Sequence, residues 1–241
     1  MKILSIDTAS NICGVSILED DKLICNLDTD TGRTHSENLM PMIEQAFNKT
    51  NLSLKNIDLI TCDIGPGSFT GIRIGVATTK AFNDSLNIPC IGISSLEALA
   101  YNLKDNINEN DAICSIIDCK NNNCYFALYE KKNNILEILI EPQAESVETC
   151  LSIFKSYYED NLEKTSIYFI GDGSEVYKNF TQETLPSAKF ADTDLNNLNS
   201  YSLGLSGLDH FKSDSISEEV LPLYLKKPQA QRLLEEKEKK D

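Results

Sequence analysis

Asp58-Leu-Ile-Thr-Cys-Asp-Ile-Gly-Pro-Gly-Ser-Phe-Thr-Gly-Ile-Arg-Ile-Gly-Val-Ala-Thr-Thr-Lys-Ala-Phe82 is the stretch whose reading decides the fold. Leu59 to Ile64 is an apolar run of strand length. Gly65-Pro66-Gly67-Ser68 ends it with turn residues, and a helical pattern begins at Phe69. A strand, a tight turn and a helix in that order leave the first helical N–H groups free, so the turn can hold an anion, and Ser68 or Thr70 can cap the helix. The glycines do not fit a nucleotide fingerprint. Gly65, Gly67 and Gly71 are spaced one residue too long for the dinucleotide pattern, and no Gly-Lys-Ser/Thr follows. Gly67, Gly71 and Gly75 instead recur at intervals of four, with Ala77, Thr78 and Thr79 beyond, so one side of the helix lacks bulk. Glycine inside a helix costs about 1 kcal/mol relative to alanine, which close packing must offset. The partner in that packing is either the chain's own sheet or a helix of another subunit.

Working outward, Ile3–Asp7, Cys13–Leu18 and Leu23–Thr29 read as three strands joined by short polar turns, an antiparallel meander. Thr34–Asn48 places Leu39, Met42, Ile43, Ala46 and Phe47 on one helical face, with Thr34 or Ser36 as cap. Pro41 either sets the helix start near Asn38 or kinks it. After the central strand and helix come a strand at Pro89–Ile93 and a helix at Ser95–Leu103. The polar segment Lys104–Asp111 is a boundary, and the order then repeats. Strands are expected at Ala112–Asp118, Cys124–Glu130 and Ile135–Ile140, a helix at Val147–Tyr158, and a strand at Ser166–Ile170. A turn at Gly171-Asp172-Gly173 and a helix at Glu175–Glu183 follow. A last helix, Tyr201–Phe211, precedes an extended segment, Val220–Leu225, that packs back on the body, and Arg232–Asp241 is a charged tail. Two copies of one topology predict an α/β protein of two lobes, residues 1–103 and 104–241.

Paired meanders followed by helices, each opening on a strand that ends in aspartate (Asp7 and Asp118), describe two ribonuclease-H-like lobes of the actin-like ATPase (ASKHA) superfold, the second lobe degenerate. In such folds the polar turn after each first strand faces nucleotide phosphates. Asp7, Thr8 and Ser10 are the candidates for a vestigial nucleotide loop. The matching turn, Asp118-Cys119-Lys120-Asn121-Asn122-Asn123, has no glycine to let its backbone approach a phosphate chain. No G-x-S-x-G elbow and no nucleophile, base and orienter set is present. The two histidines, His35 and His210, are too few for a His-rich metal site, and the eight cysteines, without C-x-x-C spacing, read as small buried hydrophobes. A formal charge of −15 argues strongly against nucleic-acid binding by this chain alone, because that binding rests on basic side chains neutralising phosphates. The N-terminus enters a strand without a signal-peptide pattern, and no apolar run reaches membrane-spanning length, so a cytoplasmic protein is expected.

Four segments carry a family resemblance: Ile6-Asp7-Thr8-Ala9-Ser10; His35-Ser36-Glu37-Asn38-Leu39-Met40-Pro41; Gly65 to Gly75; and Ser94-Ser95-Leu96-Glu97. Gly171-Asp172-Gly173 and Pro222-Leu223-Tyr224-Leu225-Lys226 match more loosely. On these residues the chain resembles the bacterial TsaB (YeaZ) family, accessory proteins of tRNA threonylcarbamoyladenosine synthesis. The resemblance implies a non-catalytic scaffold that activates TsaD within a complex that also contains the ATPase TsaE, with tRNA engaged only through that complex. It also implies a homodimer when the chain is alone, and ATP only in the assembly. The implied partner interface comprises His35, Leu39, Met42, Ser68, Phe69, Gly71, Ile72, Gly75, Thr78 and Thr79, and Gly71→Leu or Gly75→Leu is then expected to abolish the heterodimer while the monomer stays folded. TsaD carries a His-x-Glu-Gly-His metal motif where this chain has Ser95-Leu96-Glu97-Ala98-Leu99, so neither histidine is present. Asp118-Cys119-Lys120-Asn121 stands where many members have Asp-x-Arg-Arg. The reading from another class is an ATP-dependent small-molecule transferase or kinase built on the Asp7 turn; a peptidase lacks its metal ligands.

Overall fold

The computed structural model describes residues 1–30, 34–161, 166–213 and 219–226; the charged tail lies outside them. Strands β1 (Lys2–Asp7), β2 (Cys13–Glu19) and β3 (Lys22–Thr29) form the expected meander. Helix α1 (His35–Thr50) leads to β4 (Leu59–Asp63), α2 (Phe69–Leu86), β5 (Cys90–Ile93) and α3 (Ser95–Leu103). The sheet order is β3-β2-β1-β4-β5, with β4 and β5 parallel to β1 because each is reached through a helical crossover. The second lobe repeats this. Strands β6 (Ala112–Asp118), β7 (Asn123–Lys132) and β8 (Ile135–Ser146) form a meander, followed by α4 (Val147–Asn161), β9 (Ile167–Ile170), α5 (Asp172–Val176), α6 (Lys178–Thr184) and β10 (Lys189–Phe190). The order is β10-β9-β6-β7-β8, the same topology.

Four local differences have physical causes. Helix α1 starts at His35 and runs through Pro41, because Glu37 reaches back to the Thr34 N–H at 3.2 Å and fixes the first turn. Strand β8 continues six residues past Ile140, since its register against β7 skips between Ile140 and Gln143 and Pro142 falls in that irregularity on an edge strand. The Gly171-Asp172-Gly173 turn is the start of α5, and Tyr177 separates α5 from α6 where one helix was expected. Strand β10 has two residues, too few to leave a pattern.

The largest difference concerns the lobe boundary. Helix α7 (Ser200–Lys212) leaves the second lobe and lies on the first sheet, where Leu203 and Leu208 join Ile3, Leu18, Leu59 and Ile91 in one buried cluster. Val220 is also buried in the first lobe, against Ile72 and Val76. The division at residue 103 therefore cuts the first lobe, which includes α7 and residues 219–226. Helix α3 sits between the lobes. Its Leu96, Leu99, Ala100 and Leu103 are buried with Ile113, Ala127, Tyr129 and Ile170 of the second lobe. Its polar side meets α7: Glu97 accepts from Ser206 at 2.6 Å and pairs with His210 at 2.7 Å, and Lys104, just past its end, meets Asp209 at 2.9 Å.

Candidate docking helices and the cleft between the lobes

The central glycine row is explained by the turn after β1. Ser68 caps α2 by accepting from the Gly71 N–H at 3.2 Å, and its own N–H donates to the Ala9 carbonyl at 2.7 Å. Thr8 Oγ1 donates to the Gly71 carbonyl at 2.7 Å. A Cβ on Gly67 would overlap the Ala9 carbonyl oxygen, one on Gly71 the Thr8 carbonyl oxygen, and one on Gly75 would lie 2.5 Å from Thr8 Oγ1. The helix rests directly on the Thr8–Ala9 backbone, and only glycine permits that approach.

The row therefore packs inward, and several expected interface residues are corrected by their burial. Gly71, Gly75, Ile72 and Thr79 are buried within the lobe, and Leu39 and Met42 are core residues of the first lobe. They are enclosed by the chain's own β1 turn and core. Gly71→Leu and Gly75→Leu consequently strike the monomer itself, not an interface alone. Ser68, Phe69, Thr70, Arg73 and Ala77 are exposed on α2, with Thr78 half-buried, and Met40, Pro41 and Glu44 are exposed on α1. His35 is half-buried, its Nε2 2.7 Å from the Ser10 carbonyl, and it ties α1 to the same β1–β2 turn.

The segment after α7 borders this surface. The Leu223 N–H donates to the Ile64 carbonyl at 2.8 Å, which seats the segment beside the end of β4. The Tyr224 ring lies 4.9 Å from that of Phe69, the Arg73 guanidinium sits 3.8 Å above Phe69, and Arg73 Nε donates to Tyr224 Oη at 2.8 Å. Resemblance pointed to Pro222–Lys226, but periodicity alone gave no sign that Tyr224 completes the exposed face of α2.

A cleft of about 540 Å³ opens between the lobes, with Ser10, Gly67 and Ser68 on one wall and Asp118, Lys120 and Asp172 on the other. The proposed nucleotide loop is corrected in part, because only Ser10 of its three residues lines this cleft. The Asp7 carboxylate is buried and accepts the Ala9 N–H at 2.9 Å, and the Thr8 hydroxyl is bonded to α2. Across the cleft, Asp118 accepts from Tyr177 Oη and pairs with Lys120 Nζ, each at 2.6 Å. Burial acts to raise the Asp118 pKa, but the hydrogen bonds from Lys120 and Tyr177 outweigh it and hold the carboxyl below its ordinary range. Burial pushes Asp172 up. Among the described residues the lining includes the carboxylates of Asp30, Asp118 and Asp172 and the ammonium of Lys120, already paired with Asp118, while Lys226 Nζ lies 2.8 Å from Cys119 Sγ, another lining residue.

Ser95 and Leu99, which the family resemblance sets against the TsaD histidines, are used internally: Ser95 Oγ donates to buried Asp63 at 2.6 Å and Leu99 is core. Among the described residues no group of three or more His, Cys, Asp or Glu side chains is arranged to hold a metal ion. No described helix is long and apolar enough to cross a membrane.

Comparison with known proteins agrees with this geometry. The family model described as "TsaD: tRNA N6-adenosine threonylcarbamoyltransferase" matches residues 29–233. The tRNA threonylcarbamoyladenosine biosynthesis protein TsaB of Bacillus subtilis is 30% identical over 193 residues, 80% of each chain. The protein of that name from Haemophilus influenzae is 26% identical over 230 residues, 94% of each. In fold, YeaZ from Pseudomonas aeruginosa superposes with a TM-score of 0.74 at 20% identity, covering 93% of this chain and 99% of that one. A ROK hexokinase from Thermus thermophilus gives 0.53 at 8% identity, over 88% and 100%. The two-lobed architecture is that of the actin-like ATPase superfold, and with a relative 30% identical over four-fifths of both chains, the chain belongs to the TsaB (YeaZ) family.

Proposed function

We propose that this chain is a non-catalytic subunit in the formation of threonylcarbamoyladenosine on tRNA, one that docks the transferase TsaD through the exposed faces of α1 and α2. The observation that carries the reading is the rigid seating of α2. Its buried side is fixed to the β1 turn by glycine contacts and two hydrogen bonds of 2.7 Å, and its outer side presents Phe69, Thr70, Arg73 and Ala77 beside Met40 and Pro41. A preorganised helix pair with an apolar and cationic outer face suits a protein partner, since little ordering entropy is lost on docking. The internal use of Ser95 and Leu99 supports placing the metal-dependent transfer on the partner. The acidic surface supports the same division of labour, with tRNA held by the partner's basic groups and ATP handled by TsaE in the assembly. The chain alone forms a homodimer through the same face.

The test is tRNA threonylcarbamoylation in a reconstituted mixture of TsaD and TsaE, with and without this chain. Activity that requires both this chain and TsaD is the expected result, and Ala77→Arg on the outer face should abolish it while the melting temperature holds. Modification of tRNA without TsaD, or no change on omitting the chain, overturns the reading. The cleft supports a second reading, an ATP-dependent small-molecule transferase or kinase. That reading requires the isolated chain to bind Mg-ATP in titration calorimetry, and a titration without binding overturns it.

A further inference from the structure

Strand register brings two aspartates together inside the first lobe. β1 and β4 pair in parallel as Ile3 with Leu59, Leu4 with Ile60, Ser5 with Thr61 and Ile6 with Cys62. The next position on each strand is an aspartate, Asp7 and Asp63, and adjacent strands lie about 4.8 Å apart. Alternate residues share a face, and the bond from Thr61 Oγ1 to Ser5 Oγ, 2.7 Å, marks the face that Asp7 and Asp63 also occupy. Asp7 is 2% exposed and Asp63 is fully buried.

Each carboxyl holds one of the turns that seat α2. Asp7 Oδ1 accepts the Ala9 N–H at 2.9 Å and so shapes the turn whose carbonyl receives Ser68. Asp63 Oδ1 accepts the Gly65 N–H at 2.7 Å and Ser95 Oγ at 2.6 Å, and so shapes the turn that leads into Ser68. Asp63 Oδ2 is buried with no partner among the described residues. The titratable groups near enough to act on the pair, or be acted on by it, are Asp28 from β3, Cys13 from β2 and Cys62 from β4, with Ser95 as the neutral donor from α3. None of these is a cation. Two buried carboxylates on neighbouring strand ends resist ionising together, because neither solvent nor a counter-ion offsets their repulsion.

We propose that Asp7 and Asp63 together retain a single proton at neutral pH, and that its retention keeps in place the two turns on which the N-terminus of α2 rests. The direction of each carboxyl agrees. Burial, reinforced by the neighbouring Asp63 charge, pushes Asp7 well above the ordinary range, and burial pushes Asp63 up to about 7. Groups raised on folding stabilise the fold at low pH and lose that contribution as pH rises through their folded pKa. Alkaline solution therefore releases the proton to solvent, leaves two like charges at the strand ends and loosens the seat of α2. Retention of the proton follows from the fold, and only its consequence for docking rests on the proposed function.

The deciding experiment is carboxyl-carbon NMR on the full chain labelled at aspartate, with Asp7→Asn and Asp63→Asn used to assign the two signals. One carboxyl titrating above pH 6 in the wild type, and a fall in the survivor's midpoint when either partner becomes asparagine, are expected. Both carboxyls fully ionised at pH 5 in the wild type would overturn the proposal, and this readout stands even if a variant fails to fold. In parallel, the thermal midpoint should fall from pH 5 to 9 in the wild type and be flatter in Asp63→Asn; equal slopes would also overturn it. Neither measurement involves a partner, so failure here is distinct from failure of the docking reading.

Discussion

Replacing Gly71 by alanine tests whether α2 is seated on the chain's own β1 turn. The added Cβ would lie closer than 3.0 Å to the Thr8 carbonyl oxygen and 2.9 Å from His35 Cδ2, so a backbone group must move. Separating helix from turn stretches the Thr8 Oγ1 bond to the Gly71 carbonyl and the Ser68 N–H bond to Ala9, each 2.7 Å and each contributing about 1 kcal/mol. Overpacking adds about 1–3 kcal/mol, and the better helix propensity of alanine returns about 1 kcal/mol. The net loss is about 2–4 kcal/mol, which for a chain of this size lowers the melting temperature by roughly 5–15 °C. Thermal unfolding followed by circular dichroism measures it, with Ala77→Leu on the exposed side as control, expected within about 0.5 kcal/mol of wild type. If Gly71→Ala melts with the wild type while complex formation fails, the glycine faces a partner and the packing account is wrong.

Three further outcomes follow from single contacts. Thr8→Val removes the hydroxyl that satisfies the Gly71 carbonyl and should cost about 1–2 kcal/mol in urea titration, less than Gly71→Ala because no backbone must move. Tyr224→Ala loses the ring against Phe69 and the bond from Arg73; the segment 219–226 should be cleaved faster in limited proteolysis while the core melts about 1 kcal/mol lower. His210 is raised above its usual pKa, first by its hydrogen bond to Glu97, so its stabilising contribution is full below about pH 6.5 and disappears as pH rises through the elevated value. The melting temperature of the wild type should therefore fall more steeply above neutrality than that of His210→Gln; parallel curves would show that the pair does not hold α3 to α7.

The fold was legible because its signals are local. Apolar runs of strand length separated by polar turns gave both meanders, and the Gly-Pro-Gly-Ser turn gave the entry to α2. What the glycine spacing could not give was the identity of the neighbour. A row of small residues states that something comes within touching distance, but Thr8 lies 63 residues before Gly71 and nothing in the row distinguishes it from another chain. Burial misplaced Leu39 and Met42 for a related reason: an amphipathic stripe marks the core side of α1, and the side available to a partner is the opposite one, carrying Met40, Pro41 and Glu44. The return of α7 to the first lobe was hidden as well, since its Ser200, Ser202, Gly204, Ser206 and Gly207 break the apolar stripe that would announce a core helix.

Those small residues show what the first sheet is built to do. Even-numbered positions of β1 and β4, such as Ile6 and Cys62, face Gly75 of α2, whereas odd-numbered Ser5 and Thr61 face Gly204 and Gly207 of α7. The sheet is pressed between two helices that approach through glycine, and on the α7 side the hydroxyls of Ser5 and Thr61 bond to each other beside the aliphatic Ile3 and Leu59. Close approach from both faces leaves little freedom at the ends of β1 and β4. Asp7 is turned inward beside Asp63, Thr8 is bonded to α2, and Ser10 remains to face the cleft. Polar residues at the end of a first strand can serve a bound phosphate or the packing of the lobe, and a side chain engaged in one is withdrawn from the other. Here packing has taken two of the three. Rigidity of α2 and the withdrawal of Asp7 and Thr8 from the cleft are thus two results of one set of contacts, so turning either side chain toward the cleft would have to loosen the helix that carries the proposed docking face.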